Sequence, residues 1–136
     1  MQAEEWFTVS CLRSMHTTGI KVVELKEGSL NGEMKVEKEF FAPNWFLHAG
    51  SIVTFADTLA GYATVAHLPE KAFSFTTLEL KSNFIGAIRE GKLLGECLPV
   101  HLGRTTQVWS VTIKNAATKK NIALFTCTQL VLYKNA

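Results

Sequence analysis

Hydrophobic and polar residues change their spacing along the chain, and the change separates predicted strands from one long predicted helix. From Glu33 onward, charged side chains alternate with apolar ones, a period of two that is typical of a half-buried strand. From His48 or Ala49 to Ala66 the apolar positions follow helical spacing, and Pro69 ends that pattern. Only strand signals follow, over Phe75–Phe84, Lys92–Leu102, Thr105–Lys114 and Asn121–Tyr133.

The segment before Glu33 adds a short helix and a first strand. Ala3 to Met15 has amphipathic spacing, and a strand begins at Ile20 or Lys21. Turn-forming residues over Gly28–Gly32 predict the connection to the next strand. The predicted order is one helix, two strands, the long apolar helix and four strands. An antiparallel sheet wrapped around the long helix, in a single domain over residues 1–136, is the simplest arrangement. This is the α+β class and the hotdog fold.

The composition narrows the class of partner and the compartment. The 136 residues are 47% hydrophobic and 19% charged with a net charge of +2, an ordinary soluble profile that offers no surface for nucleic acid. The three cysteines are widely spaced and form no CxxC pair, which favours a reducing compartment. The first residues include Glu4 and Glu5 and lack the basic start of a signal peptide, so we expect a cytoplasmic protein.

One apolar stretch, residues 45–68, is long enough to be considered as a membrane span. Asp57 lies at its middle, where a charge costs about 3 kcal/mol even on the most permissive insertion scale. We therefore expect a helix buried inside a soluble protein, with no membrane partner.

Asp57 is the strongest candidate for chemistry on the long helix. It is the only carboxylate between Phe40 and Pro69, and that segment contains no lysine or arginine. A charged acid in so apolar a segment needs hydrogen bonds or a ligand to offset its burial. At helical spacing it belongs to a stripe of small or polar residues, Gly50, Thr54, Asp57, Gly61 and Thr64. The stripe leaves room for a ligand or for a closely packed neighbour, and the pattern alone leaves both open.

The start of the long helix is a second candidate. A helix N-terminus presents unpaired backbone N–H groups and a partial positive charge, and His48-Ala49-Gly50 would place small residues beside them. Such a turn can bind an oxyanion. A histidine N-cap followed by a tightly packed first turn accounts for the same three residues.

Together these residues resemble the phenylacetate-pathway (PaaI-like) group of hotdog acyl-CoA thioesterases. That group is marked by His-Gly-Gly at the start of the central helix, an acid nine residues after the histidine, and an Asp-Thr-x-x-Gly run. This chain has His48-Ala49-Gly50 and Asp57-Thr58-Leu59-Ala60-Gly61. Residues Phe75–Phe84 are similar to the group's following strand, and Val100–Thr106 resembles its Gly-Arg hairpin.

The resemblance implies an acyl-CoA thioesterase in which CoA is part of the substrate, with no separate cofactor. Asp57 would be the nucleophile or the general base. The N–H of Ala49, between His48 and Gly50, would polarise the thioester carbonyl. Thr77 would hold the attacking water or orient Asp57.

Further positions are implied at the edges of the site. The group's amide residue falls at Ala42 here, so Asn44 is the candidate replacement. Arg104 and its neighbours Gly103 and His101 would contact the CoA portion of the substrate.

The spacing of the two main candidates predicts self-association. Eight residues separate Ala49 from Asp57, about 12 Å along a helix axis. A donor and an acid that act on one carbonyl must each lie about 3 Å from it. We therefore expect a homodimer or homotetramer with shared active sites.

Two other functions fit the same pattern. A hotdog hydratase or dehydratase would use His48 and Asp57 together on the acyl chain, and a non-catalytic module would only bind acyl-CoA. The histidines His48, His67 and His101 form no metal-ligand pattern, so we expect no metal site.

Overall fold

In the described part of the chain, six antiparallel strands form one sheet, and one long helix packs on one of its faces. Residues 19–37 and 48–134 are those that the computed structural model describes. The strand order across the sheet is β1-β2-β4-β5-β6-β3. The elements are β1 (Ile20–Lys26), β2 (Ser29–Lys35), α1 (Ala49–Ala66), β3 (Ala72–Phe84), β4 (Lys92–Leu102), β5 (Thr106–Asn115) and β6 (Asn121–Tyr133). This arrangement confirms the α+β class and the hotdog fold.

The boundaries of the long helix and of two strands agree with the sequence pattern. α1 covers Ala49–Ala66, and β4 and β6 begin and end where predicted. β3 starts three residues earlier than predicted, at Ala72, and β5 is shifted by one residue. The predicted helix over Ala3–Met15 lies outside the described residues.

The predicted turn between β1 and β2 is present and includes Gly28, but its extent to Gly32 is wrong. Only Glu27 and Gly28 turn, with Gly28 at φ 79°, and β2 already begins at Ser29. Packing explains the difference, because Leu30 is fully buried and Gly32 lies under α1. Residues that favour turns in isolation are held in a strand by the contacts that they make in the core.

Two glycines allow the helix to approach the sheet closely. Gly32 of β2 is paired with Gly95 of β4, and Leu59 of α1 lies over both. A Cβ atom would lie 2.4 Å from Leu59 Cδ2 at the first position and 2.3 Å from Leu59 Cδ1 at the second. Around this contact the core is filled by large side chains that are at most 1% exposed, Phe55, Leu59, Trp109, Val111 and Phe125.

A polar network fixes the C-terminal end of α1. His67, its C-cap, contacts the Ala63 carbonyl through Nδ1 at 2.8 Å, and its Nε2 accepts the Gly28 N–H at 2.8 Å. Gln107 of β5 donates its amide to the His67 carbonyl at 2.9 Å and accepts Trp109 Nε1–H at 2.8 Å. These bonds tie α1 to the β1–β2 turn and to the start of β5.

Two features are absent from residues 19–37 and 48–134. No helix there is both long and apolar enough to cross a membrane. No group of three or more histidine, cysteine or acidic side chains is placed there to hold a metal ion.

Candidate active site

The N-terminus of α1 is capped by a histidine side chain. His48 is extended, with φ −63° and ψ 135°, and its Nδ1 accepts the Gly50 N–H at 2.9 Å. A Cβ atom at Gly50 would lie 2.9 Å from that Nδ1, so a residue with a side chain would displace the ring. The Gly50 donor is therefore already used. Ala49 is exposed, and its N–H, at the first helical position, has no acceptor within the helix.

The small-residue stripe of α1 becomes more buried from its N-terminal to its C-terminal part. Thr54, near the N-terminus, is exposed and its hydroxyl donates to the Gly50 carbonyl at 2.9 Å. Thr64, near the C-terminus, is fully buried. Between them Gly61 lies against β3, because a Cβ atom there would be 3.4 Å from the Phe75 ring. Close packing thus accounts for the C-terminal part of the stripe, while its N-terminal part is open.

Asp57 lies between these two parts and is half-buried. It is one helical turn before Gly61 and so on the same face of α1. Burial raises the pKa of the Asp57 carboxyl above its ordinary value. Burial also raises the pKa of Cys127, on β6, to about 12, and the charge of Asp57 adds to that rise. The carboxylate is therefore close enough to the middle of β6 to act on it electrostatically.

Unpartnered polar atoms are concentrated on this side of the fold. In the described part of the chain, three buried side-chain nitrogen or oxygen atoms have no hydrogen-bond partner: Asp57 Oδ1, Ser82 Oγ and Gln129 Nε2. Ser82 is paired with Phe125 across β3 and β6, and Gln129 is two residues beyond Cys127 on the same face of β6. A buried polar atom without a partner is costly, so this strip between α1 and the sheet requires water or a ligand group.

Thr77 belongs to the same strip. It is directly opposite Gln129, and beyond a register shift between Thr77 and Glu79 the strands pair Leu80 with Cys127. The Thr77 hydroxyl donates to Gln129 Oε1 at 2.7 Å. Gln129 was not among the candidates from the sequence. The alternation along β6 could have indicated it, because it is a polar residue on the buried face that also carries Phe125 and Cys127.

The predicted CoA-contacting residues lie together in the β4–β5 hairpin. Gly103 N–H donates to the Thr106 carbonyl at 2.8 Å, and the carbonyl of the exposed Arg104 accepts the Tyr133 hydroxyl. The His101 ring lies over Gly103, where a Cβ atom would be 2.6 Å from Nε2. β5 starts beside the C-terminal end of α1, through the bond from Gln107 to His67, so the hairpin is at that end.

The candidates of one chain therefore fall into separate places. Ala49 and His48 are at the N-terminus of α1, Asp57 and Thr77 are at the β3–β6 side, and the hairpin is near the C-terminus of α1. Because α1 is one continuous helix, about 12 Å along its axis separates Ala49 from Asp57. Asn44 lies outside the described residues.

Similarity to known proteins agrees with this fold. The chain is 35% identical to a protein of Vibrio cholerae, over 68% of this chain and 61% of that one, so the match spans less than two thirds of that relative. It is 31% identical to the 1,4-dihydroxy-2-naphthoyl-CoA hydrolase of Escherichia coli, over 69% of this chain and 68% of the hydrolase. A crystal structure of a thioesterase variant from Pseudomonas aeruginosa is 26% identical and superposes with a TM-score of 0.84, covering 94% of this chain and 92% of the other.

A family model gives the same result from the sequence. The model described as the thioesterase superfamily matches residues 45–121, which include α1 with Asp57, β3 with Thr77 and the β4–β5 hairpin. That range is more than half of the chain. This protein therefore belongs to the thioesterase superfamily.

Proposed function

We propose that this protein hydrolyses an acyl-CoA thioester to a free acid and CoA, with Asp57 as the catalytic carboxylate. The observation that carries the proposal is the buried, unpartnered oxygen of Asp57 on a strip that holds two further unpartnered polar atoms. A carboxylate kept without protein partners is available to a water molecule or to a reacting carbonyl carbon. Membership of the thioesterase superfamily and likeness to a CoA-thioester hydrolase of Escherichia coli favour thioesters as the substrate class.

Two routes satisfy the atom balance of this reaction. As a general base, Asp57 takes a proton from water while the water oxygen attacks the carbonyl carbon. The C–S bond then breaks and the sulfur of CoA receives the proton. As a nucleophile, Asp57 attacks the carbonyl carbon and forms a mixed anhydride while the C–S bond breaks and CoA leaves as a thiolate. Water then splits the anhydride into the free acid and the Asp57 carboxylate, and the released proton goes to the sulfur of CoA. Both routes need one positioned water molecule and a donor for the carbonyl oxygen. The exposed Ala49 N–H, at the positive end of α1, is suited to be that donor.

We propose further that each site is built by two copies of this chain. β3 is an edge strand of 13 residues, and it carries exposed Phe73, Leu78, Leu80 and Phe84, at 42–58% exposure. A long apolar edge is a surface that proteins normally cover. A two-fold axis beside β3 would cover it with a second β3 and would bring the partner's helix N-terminus to the β3–β6 strip. In a hydratase that used His48 with Asp57, the two residues of one chain would likewise be separated along α1, so its site would also need two copies of the chain.

The test is the release of free thiol from acyl-CoA, followed with a thiol reagent for wild type and Asp57→Asn. We expect hydrolysis by the wild type and a loss of at least ~100-fold in kcat for the variant, because the replacement removes the base or nucleophile while keeping the shape. Circular dichroism and acyl-CoA binding check that the variant is folded and still binds.

Different results would contradict the proposal in different ways. Near-normal turnover by the folded variant would remove Asp57 from the mechanism. Tight acyl-CoA binding by the wild type with no thiol release would identify a binding module, and hydration of an enoyl-CoA would identify a hydratase.

A further inference from the structure

Gln129 occupies a position where the fold alone gives no reason for a glutamine. It lies at the middle of three neighbouring strands, between Gln107 of β5 and Thr77 of β3, and it is fully buried. Gln107, equally buried, uses both ends of its amide, on the His67 carbonyl and on Trp109. Gln129 uses only its oxygen, on Thr77, and its nitrogen is buried without a partner. A buried amide satisfied at one end costs free energy of folding that an apolar side chain of the same size would not.

The bond to Gln129 determines what the Thr77 hydroxyl can do in the site. A hydroxyl has one proton and two lone pairs, and the proton of Thr77 is directed to Gln129 Oε1 at 2.7 Å. Only lone pairs remain for other partners. An ionised Asp57 can only accept hydrogen bonds, so Thr77 cannot donate to it in this arrangement. A water molecule has two protons, one for Asp57 and one for Thr77.

We propose that Gln129 is a positioning residue for the hydrolysis, which holds the Thr77 hydroxyl as a pure acceptor for the attacking water. The inference rests on the proposed function, because it concerns the water molecule that attacks the thioester or the acylated Asp57. Of the two roles implied for Thr77, it selects water binding and excludes a hydrogen bond from Thr77 to Asp57. In the general-base route Asp57 accepts the other proton of that water. In the nucleophile route Asp57 is acylated when water attacks, and Thr77 is the acceptor that remains.

The experiment is a double-mutant cycle on acyl-CoA hydrolysis with Gln129→Met, Thr77→Val and the double variant. If Gln129 acts through Thr77, Gln129→Met should lower kcat about 5- to 10-fold, the effect of one neutral hydrogen bond, and leave KM unchanged. Thr77→Val should lower kcat at least as much, and the double variant should be no slower than Thr77→Val. In the Thr77→Ser background, which keeps the hydroxyl, Gln129→Met should still lower kcat.

Thermal unfolding distinguishes a role of Gln129 in positioning Thr77 from a role in stabilising the fold. Gln129→Met removes the unpaired amide, so the thermal unfolding midpoint of this variant should equal or exceed that of the wild type. Gln107→Met is the matched control on the neighbouring strand. It should lower the midpoint, because it leaves the His67 carbonyl and Trp109 Nε1–H unpaired, and the coupling between Gln129 and Thr77 should persist in its background.

Several results would overturn the inference. Independent, multiplicative losses in the double variant, or an unchanged kcat for Gln129→Met, would show that Gln129 does not act through Thr77 while hydrolysis itself stands. If neither Gln129→Met nor Gln129→Leu folds, the role of Gln129 is structural. A wild type that hydrolyses no acyl-CoA would contradict the proposed function and this inference together.

Discussion

Asp57 carries one buried oxygen without a hydrogen bond, and burial raises the pKa of its carboxyl. A buried carboxyl oxygen without a partner does not stabilise the folded chain. Below the ordinary pKa, near 3.8, Asp57 is protonated in both the folded and the unfolded chain. Between that value and the raised one, only the unfolded chain is ionised. Asp57 therefore lowers the stability of the folded chain as pH rises through this window.

Because the ionised Asp57 lowers the stability of the folded chain, its removal should raise that stability. We expect Asp57→Asn to raise the free energy of unfolding relative to wild type at neutral pH, and to change it less below pH ~3, where the Asp57 carboxyl is largely protonated in both the folded and the unfolded chain. Urea unfolding of both proteins at a fixed protein concentration and at several pH values measures the difference. A variant that is less stable than wild type at neutral pH would show that the charged carboxylate is stabilised in the folded chain, contrary to its burial without a partner.

The sequence identifies Asp57 directly, whereas for Gln129 it offers only a polar residue at a buried position in the alternation of β6. An isolated acid in an uncharged helix is visible in the residues alone. The role of Gln129 depends on its neighbours on the adjacent strands β5 and β3. The sequence does not state which strands are adjacent. Ser82 is hidden for the same reason, because its burial depends on the pairing with β6.

Among the elements, α1 was predictable over its full length because its start and its end are both marked. His48 caps the start, and His67 with Leu68-Pro69 follows the end. The β1–β2 turn was misplaced because Gly28 and Gly32 are equally good turn residues in the sequence. In the fold they differ, because Gly28 has a positive φ of 79° and Gly32 lies against Leu59 of α1.

The β4–β5 hairpin carries the prediction for CoA. Arg104 is exposed at its tip, and Gly103 and His101 fix the turn beside it. If its guanidinium contacts CoA phosphates, Arg104→Ala should raise KM for acyl-CoA more than it lowers kcat, because the contact is remote from the reacting carbon. Short thioesters that lack the nucleotide should be hydrolysed equally by both proteins. Equal losses on both substrate types would contradict the CoA contact.

For the whole molecule, the edge strand β3 and the length of α1 lead to the same arrangement. β3 leaves apolar side chains uncovered, and α1 keeps Ala49 about 12 Å from Asp57 along its axis. The separation of Ala49 from Asp57 follows from residue spacing along the helix alone. The exposed apolar side of β3 could not be predicted in this way. It depends on the strand order, in which β3 lies at the edge of the sheet beside β6.

Complementation between two inactive variants tests the shared site most directly. Asp57→Asn lacks the acid. Ala49→Pro lacks the N–H, and proline suits the first helical position because His48 before it is extended, with ψ 135°. In a mixed dimer, one site combines the intact Asp57 of one subunit with the intact Ala49 of the other. Equal amounts refolded together should regain about a quarter of wild-type activity, since half of the dimers are mixed and each has one complete site of two. Mixed dimers that are folded, verified by mass and still inactive would contradict a site shared between two subunits.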